Sequence, residues 1–481
     1  MQKTDRVLDP AHQALVLALW IVVFRVALGL ADRTELSTDE AQYWFWGQSF
    51  DFGAYSKPPL IGWMIRISTE LFGQSVPAVR LPAIFLHAAT AAIIFACASR
   101  LFSAQVAWLA ALLYLLAPAV ALGSALMTTD TPLLLAAALA LMAQLRLAEA
   151  RAAGHRSPGA AVVLGLALGL GLLAKHAMLF WLPGAILAAL VSPAFRPSRA
   201  DVLIAAATFL VVISPHLMWL AQHGFITVQH VQAITEGHGL SLFRPLQFLA
   251  EQFLVAGPVC LAALLIAVPR RLQTGLSVLS LMPLLIVLAQ GIKGPVLANW
   301  AVLYLVPGCI LAALVLVRHR WLAGLSLSLG LAVAIALPAL KAFGTELQRP
   351  DGRPLLSRYL GHSDIARWAL DTARAQGADV VIATDRDLLA DLSWYSTGPV
   401  PAIRAVPPKG LPRHHWEMVA AYKRSYGTRA LLLLRAGQEL PCKDARLVAD
   451  MTAPPGFAGG EVLHLFRLPD PGCLAATATE G

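Results

Sequence analysis

Residues 38–63 read TDEAQYWFWGQSFDFGAYSKPPLIGW. Two adjacent acids, Asp39 and Glu40, run into a cluster of aromatics, and Lys57 is followed by two prolines. The flanking chain avoids charge. Of 481 residues, 58% are hydrophobic and 14% charged, with a mean hydropathy of +0.66. Soluble domains carry roughly 25% charged residues. The apolar residues fall in blocks of about twenty, the length a helix needs to cross a bilayer core. Helices satisfy their own backbone hydrogen bonds without water. Strand-like alternation is missing, which excludes a transmembrane β-barrel.

Spans are predicted at 11–30, 79–101, 105–122, 131–147, 160–175, 178–192, 201–220, 250–268, 275–290, 297–317 and 321–341. The short pair on either side of Lys175 and His176 can be tilted or partly re-entrant. Basic residues of short loops orient the chain. Arg100, Arg146, Arg151, Arg156, Arg196, Arg199, Arg270, Arg271, Arg318 and Arg320 all follow even-numbered spans, and Lys3 and Arg6 precede the first. That side is expected to be cytoplasmic, which sends the loop 31–78, the turn at Thr128–Asp130, the loop 221–249 and everything after Lys341 outward. Arg25 interrupts the first span and no small-residue cleavage site follows before Asp32, so an uncleaved first helix is expected. The net charge of +9 reads as membrane topology and phospholipid contact, not nucleic-acid binding.

From Gly344 onward the composition becomes mixed. Strand candidates ADVVIAT (378–384) and RALLLLRA (429–436) and the helical stretch 364–377 predict a small α/β domain outside the membrane. The expected architecture is an all-α polytopic membrane domain of about eleven helices over 1–343, followed by an extracytoplasmic α/β domain over 344–481. Cys97, Cys260 and Cys309 fall in or near spans, while Cys442 and Cys473 share the outer domain. In a Gram-negative periplasm the last two can pair, but sequence gives no distance.

Ionisable groups near a membrane core are functional candidates. Asp39, Glu40, Lys57, Arg80, Asp130, Lys175, His176 and Lys293 collect on the outer side, and Arg25 is placed to snorkel towards it. Carboxylates beside cations suit deprotonation of a hydroxyl with release of a phosphate. Glu40 alone reads first as a solvated loop acid. Asp39, in a half-apolar aromatic loop, reads as functional. Asp130 alone reads as a helix cap ahead of Pro132. Tyr43, Trp44, Phe45 and Trp46 suit an interfacial belt, with sugar stacking as the sharper alternative. His223, His230, His238 and Glu236 make a weak zinc pattern. GLALGLGLLAK (165–175) lies within a span and reads as small-residue helix packing, not as a phosphate loop.

Taken in order, TDEAQYWFWG, GAYSKPPLIGW, VRLP (79–82), MTTDTPLL (127–134), GLALGLGLLAKHAMLFWLPG (165–184), WLAQHGFITVQH (219–230) and LANWAVLYLVPG (297–308) resemble a known family. It is that of the GT-C polyprenyl-phosphate-sugar-dependent glycosyltransferases, which includes protein O-mannosyltransferases and lipid A aminoarabinose transferases. The resemblance covers roughly residues 10–340. It implies inverting transfer of a sugar from a polyprenyl phosphate to a hydroxyl of lipid A, lipopolysaccharide core, another envelope glycan or a protein, at the periplasmic face of the inner membrane. By the same resemblance Asp39 is the base for the acceptor and Asp130 the second acid. Lys57 is placed near the donor phosphate, Arg80 and Lys175 hold that phosphate or order the loops, and Glu40, Tyr43 and Tyr55 contact the sugar or the loop. The resemblance makes no cofactor certain. Where the aminoarabinose branch places an acid that helps hold a metal, this chain has Ser56, which puts a divalent metal in doubt. The aromatics are expected to hold the loop on the membrane surface, and HHWEM (414–418) to be either a substrate contact or ordinary domain surface.

The competing reading is a transporter or lipid flippase. Transporters place ionisable groups mid-membrane on broken helices, often in repeated halves. This sequence shows no internal repeat, and its charges gather outside.

Overall fold

The computed structural model describes residues 10–235, 237, 239–268 and 274–476. Lys3, Arg6, Glu236, His238, Arg270 and Arg271 lie outside the described residues. The chain begins with α1 (Pro10–Leu30), α2 (Thr38–Gly47), α3 (Leu60–Phe72) and α4 (Val76–Leu101). There follow α5 (Ala104–Leu115), α6 (Pro118–Ser124) and α7 (Asp130–Ala152). Among the described residues, seven helices are long and apolar enough to cross a membrane. They are α1, α4, α7 and the helical segments Arg199–Gln222, Thr274–Lys293, Ala298–Leu316 and Arg320–Phe343. Two bent pairs bring the number to nine. The remaining two predicted segments are the shorter apolar helices Pro158–Ala174 and His176–Val191, with Lys175 at their junction.

Two predicted straight spans are broken. The segment 105–122 bends by 59° between α5 and α6, and the segment 250–268 bends by 110° between Phe243–Ala256 and Pro258–Ala267. Each second half starts at a proline, which fits the first turn of a helix but cannot continue one. At the sharper bend Gly257 has φ +85°, a conformation that penalises any side chain. The first bend also corrects the expectation for Arg25. Its side chain is buried and its Nη2 donates to the Leu115 carbonyl at 2.7 Å, so it does not snorkel. The last carbonyls of a helix lack intrahelical partners, and Arg25 supplies one at the end of α5.

The expected small-residue packing holds. A side chain at Gly165 would meet the Ala205 carbonyl at 2.4 Å, so glycine lets Pro158–Ala174 lie directly against Arg199–Gln222.

The C-terminal region forms a five-stranded mixed sheet, order β2-β1-β3-β5-β4. Its strands are β1 (Val380–Ala383), β2 (Ala402–Ala405), β3 (Ala430–Arg435), β4 (Arg446–Thr452) and β5 (Val462–Leu468). β1 pairs in parallel with both β2 and β3, while β5 is antiparallel to β3 and β4. The two predicted strands are β1 and β3, central and almost wholly buried. Cys442 and Cys473 form a disulfide with Cα atoms 5.6 Å apart.

Candidate active site

The loop 31–78 is built largely from the helices α2 and α3. Ser37 caps α2: its Oγ accepts the Glu40 N–H, and the Glu40 carboxylate accepts the Ser37 N–H at 3.1 Å, a reciprocal capping box. Glu40 is therefore not a solvated loop acid. It is 2% exposed and makes two 2.8 Å bonds with Arg80 Nε and Nη2. Burial pushes its pKa up, but the charge and hydrogen bonds of Arg80, helped by Lys341 and the Ser37 N–H, hold it at about 2. The rest of the Arg80 guanidinium donates to Asp32, Thr34 and the Glu35 carbonyl. Asp32 also pairs with Lys341 at 2.9 Å.

This buried cluster ties α1, α2, α4 and the last membrane helix together. Glu35 extends the tie to the C-terminal region. Its carboxylate accepts the His362 and Ser363 N–H groups at 2.7 and 3.1 Å, at a helix start that has no side-chain cap of its own.

The aromatics of α2 also face the C-terminal region, not the membrane surface as expected. Trp44 meets Trp394 edge-on at 5.0 Å, Phe45 stacks on Trp416 at 4.6 Å, and His415 packs against Phe45 and Trp46. HHWEM is thus neither surface nor substrate contact at its centre, because His415 and Trp416 are buried under α2. Burying large aromatic faces against each other dominates the energetics of such contacts. Tyr55 sits at the edge of this interface, its N–H directed at His415 Nδ1 and its ring 4.9 Å from His230.

The two expected acids stand at two cavities. Asp130 opens α7, where Thr129 makes no side-chain cap and the Asp130 carboxylate is turned to other partners. Lys175 Nζ lies 2.6 Å from Oδ1, and Asn299 Nδ2 lies 2.6 Å from Oδ2. Asp130 and Asn299 line a cavity of about 1040 Å³, together with Thr128, Gln247 and Glu251. Leu116, Leu122, Leu254, Leu329, Val333 and Leu337 line much of the rest. The bend residues Pro118, Gly257 and Pro258 also line it, so the two broken helices shape this space.

The Asp39 side chain is 41% exposed and borders a second cavity, of about 450 Å³, with Thr38, Ser357, Arg358, Arg386 and Asp387. Arg386 Nη1 lies 2.9 Å from Asp39 Oδ1, and Arg358 Nη2 lies 3.8 Å from Oδ2.

Lys57 and Tyr43 fall between the acids. Both feel the charges of Asp39 and Asp130. Burial, then the nearby charge of Lys175, lowers the Lys57 pKa. Among the described residues, no hydrogen bond or ion pair engages the Lys57 ammonium. Burial, followed by Asp39 and Asp130, raises the Tyr43 phenol, which stays protonated. Lys57, Lys175, Asp39, Asp130 and Tyr43 are thus brought together, whereas Arg80 and Glu40 form the buried cluster behind them and Tyr55 lies to one side. Asn299, Arg358, Arg386, Lys341 and Asp32 were not among the predicted site residues. The described residues contain no group of three or more potential metal ligands.

The chain is thus a helical membrane bundle with an apolar cavity that reaches Asp130 and a small mixed sheet packed against its α2. Residues 56–219 match the dolichyl-phosphate-mannose-protein mannosyltransferase family. The chain is 35% identical over 477 residues to the lipid A galacturonosyltransferase RgtD of Rhizobium johnstonii, across 96% of this chain and 99% of that one. It resembles the crystal structure of ArnT from Cupriavidus metallidurans in the apo state, with a TM-score of 0.65 and 15% identity over 98% and 100% of the two chains. The structure of that protein bound to undecaprenyl phosphate matches with the same TM-score and identity over 94% and 97%. The chain belongs to the family of RgtD, within the GT-C glycosyltransferases. It is an integral-membrane glycosyltransferase.

Proposed function

We propose that the enzyme transfers a uronic acid from a polyprenyl phosphate to a hydroxyl of lipid A, with inversion, at the periplasmic face of the inner membrane. The observation that carries this reading is the buried Lys57 ammonium, which has no hydrogen bond or ion pair among the described residues and lies within the field of both Asp39 and Asp130. The 35% identity to a lipid A galacturonosyltransferase over nearly the whole chain supports the choice of sugar and acceptor. The polyprenyl chain occupies the 1040 Å³ cavity, and its phosphate meets Lys57 and Lys175. Asp39 accepts the proton of the acceptor hydroxyl as that oxygen bonds to the anomeric carbon. The bond from that carbon to the phosphate oxygen breaks, and the polyprenyl phosphate departs as an anion. Two lysines stabilise the departing charge, so no strong general acid is needed.

Asp130, held by Lys175 and Asn299, keeps Lys175 turned to the phosphate. Arg80, with every guanidinium N–H engaged, orders the loop and does not hold phosphate. The chain divides at 343/344 into a membrane domain and a periplasmic domain. The Cys442–Cys473 disulfide, a bond of oxidising compartments, supports that placement.

The test is a panel of sugar-labelled polyprenyl phosphates offered to the purified chain with lipid A, lipopolysaccharide core or a denatured protein as acceptor. Label gained by lipid A from the galacturonate donor is the expected result. Label gained by protein, or from a mannose donor alone, would replace this reading with protein mannosylation.

A further inference from the structure

Arg358 and Arg386 come from the C-terminal region, more than 300 positions from the acid they surround. One carboxylate, Asp39, faces two guanidinium groups. Arg386 uses Nη1 for Asp39 and Gln42. Among the described residues, its Nε and Nη2 donate to nothing, and the Arg358 guanidinium donates no hydrogen bond at all. Both remain accessible, with side chains 43% and 68% exposed, on the wall of the 450 Å³ cavity.

The acids next to Arg386 do not neutralise it. Asp385 and Asp387 are both bound by Arg435 on β3, which also holds Glu461. Arg435 thereby fixes the turn after β1 with the Arg386 side chain free to reach across to α2. That turn has a particular place in the sheet. β1 lies between β2 and β3, all three parallel, and the chain leaves β1 for β2 on one side and returns to β3 on the other. The carboxyl end of such a strand is where open α/β sheets take ligands. Arg386 is the first residue of the helix that leaves this end.

Unused, coplanar N–H donors beside a cavity suit a carboxylate or phosphate oxygen pair, which guanidinium groups bind bidentately. From these observations we infer that Arg358 and Arg386 form an anion subsite next to Asp39, which selects substrates carrying a carboxylate or phosphate within about one sugar ring of the reacting hydroxyl. The group is the carboxylate of the donor uronate or a phosphate on the acceptor glycolipid, chemistries the same guanidinium pair recognises. The inference rests on the proposed function for the identity of the sugar. It adds that the C-terminal region supplies the discrimination. When the anion docks, it competes with Asp39 for Arg386 and loosens that pair, which leaves Asp39 better able to accept a proton.

The experiment compares the full-length wild type with R358Q, R386Q and the double variant. Donors are polyprenyl-phosphate galacturonate and its neutral galactose counterpart, and acceptors are lipid A with and without its phosphates. Donor binding is measured in parallel by retention of labelled donor. The readout is a ratio, kcat/KM for the charged over the neutral partner, so a general loss of activity does not enter it. For the wild type the ratio is expected to favour the anionic partner. In the double variant it should fall by roughly 10- to 100-fold, the range of a hydrogen bond to a charged group. A collapse confined to the donor pair assigns the carboxylate, and one confined to the acceptor pair assigns the phosphate. Wild-type ratios unchanged in all three variants and for both pairs would overturn the subsite while leaving the transferase standing. Arginine-dependent preference for the acidic donor in binding, without turnover under any pairing, would keep the subsite and overturn the transfer reading.

Discussion

Replacing Arg80 by methionine separates the two roles that a basic residue beside this site can have. In the structure Arg80 lies between Glu40 and Asp32 and gives all its N–H groups to Glu40, Asp32, Thr34 and the Glu35 carbonyl. A carboxyl pKa of about 2 against an ordinary 4.5 corresponds to about 3 kcal/mol of favourable coupling at neutral pH. Removing one partner of a buried ion pair costs about 3–5 kcal/mol by a separate route. The two magnitudes agree, and both say R80M is a folding defect, visible as a fall of several degrees in the apparent Tm of purified protein in detergent. The loss should be smaller in the double variant E40Q/R80M, because replacing both charges strands neither. The pH dependence follows the same pair. Glu40 has a depressed pKa, so its contribution is complete above pH 4.5 and fades as pH falls from there through about 2. R80M removes that acid-side loss. An R80M protein that melts with the wild type but binds polyprenyl phosphate weakly would refute the structural role and make Arg80 a phosphate ligand.

Lys57 should behave in the opposite way. K57A should leave thermal stability in place and raise the donor KM by roughly 10- to 100-fold, the cost of a lost charged contact, read from turnover against donor concentration. The buried His362–Asp391 pair gives a basic-side signal. Both ring nitrogens of His362 face acceptors, the Asp391 carboxylate at 2.9 Å and the Arg358 carbonyl at 3.1 Å. Burial opposes the imidazolium, but Asp391 prevails and raises the His362 pKa to about 9. Its contribution is lost as pH rises from 6.5 through about 9, while below about 6 Asp391, whose pKa burial pushes up, takes a proton and no longer holds the imidazolium. Unfolding midpoints across the upper window should fall in the wild type and flatten in H362Q. Reduction of the Cys442–Cys473 bond, which spans 31 positions, should cost about 3–4 kcal/mol of stability, measured by denaturation with and without reductant.

Most of the membrane architecture was legible because water's absence forces helical periodicity into uninterrupted apolar blocks. What local pattern could not show was the bending of 105–122 and 250–268, although Pro118 and Gly257–Pro258 were in plain view as breakers. The helix α2 had a readable start too, since Ser37-Thr38-Asp39-Glu40 has the capping-box spacing. Asp39, Lys57, Asp130 and Lys175 do converge, and each lies in one of the motifs quoted above. Glu40 reads as solvated, and the two alternatives for Arg80 stay open in sequence, because their burial depends on Asp32 and Lys341, which come from opposite ends of the membrane region. Lys341, a cation ending an apolar helix, was the available signal. The aromatics of α2 match an interfacial belt in composition, and only their distant partners Trp394 and Trp416 distinguish that from a domain contact. Arg358 and Arg386 had no local signal. Arg386 reaches Asp39 through the topology of the sheet and Arg358 from a turn ahead of it, and β2, β4 and β5, short or half-exposed, left even that sheet incompletely drawn.

Single-turnover transfer by the wild type and D39N most directly tests the central claim, that Asp39 takes the acceptor proton while Lys57 meets the phosphate. Labelled polyprenyl-phosphate donor would be pre-bound, acceptor added, and sugar gained by acceptor counted against polyprenyl phosphate released. The expected result is equal donor binding by both proteins, one sugar transferred per phosphate released in the wild type, and a rate about 10²–10⁴ lower in D39N, the range of a lost general base. Transfer by D39N at the wild-type rate, with donor bound equally, would contradict the assignment of Asp39 and leave the reaction without its base.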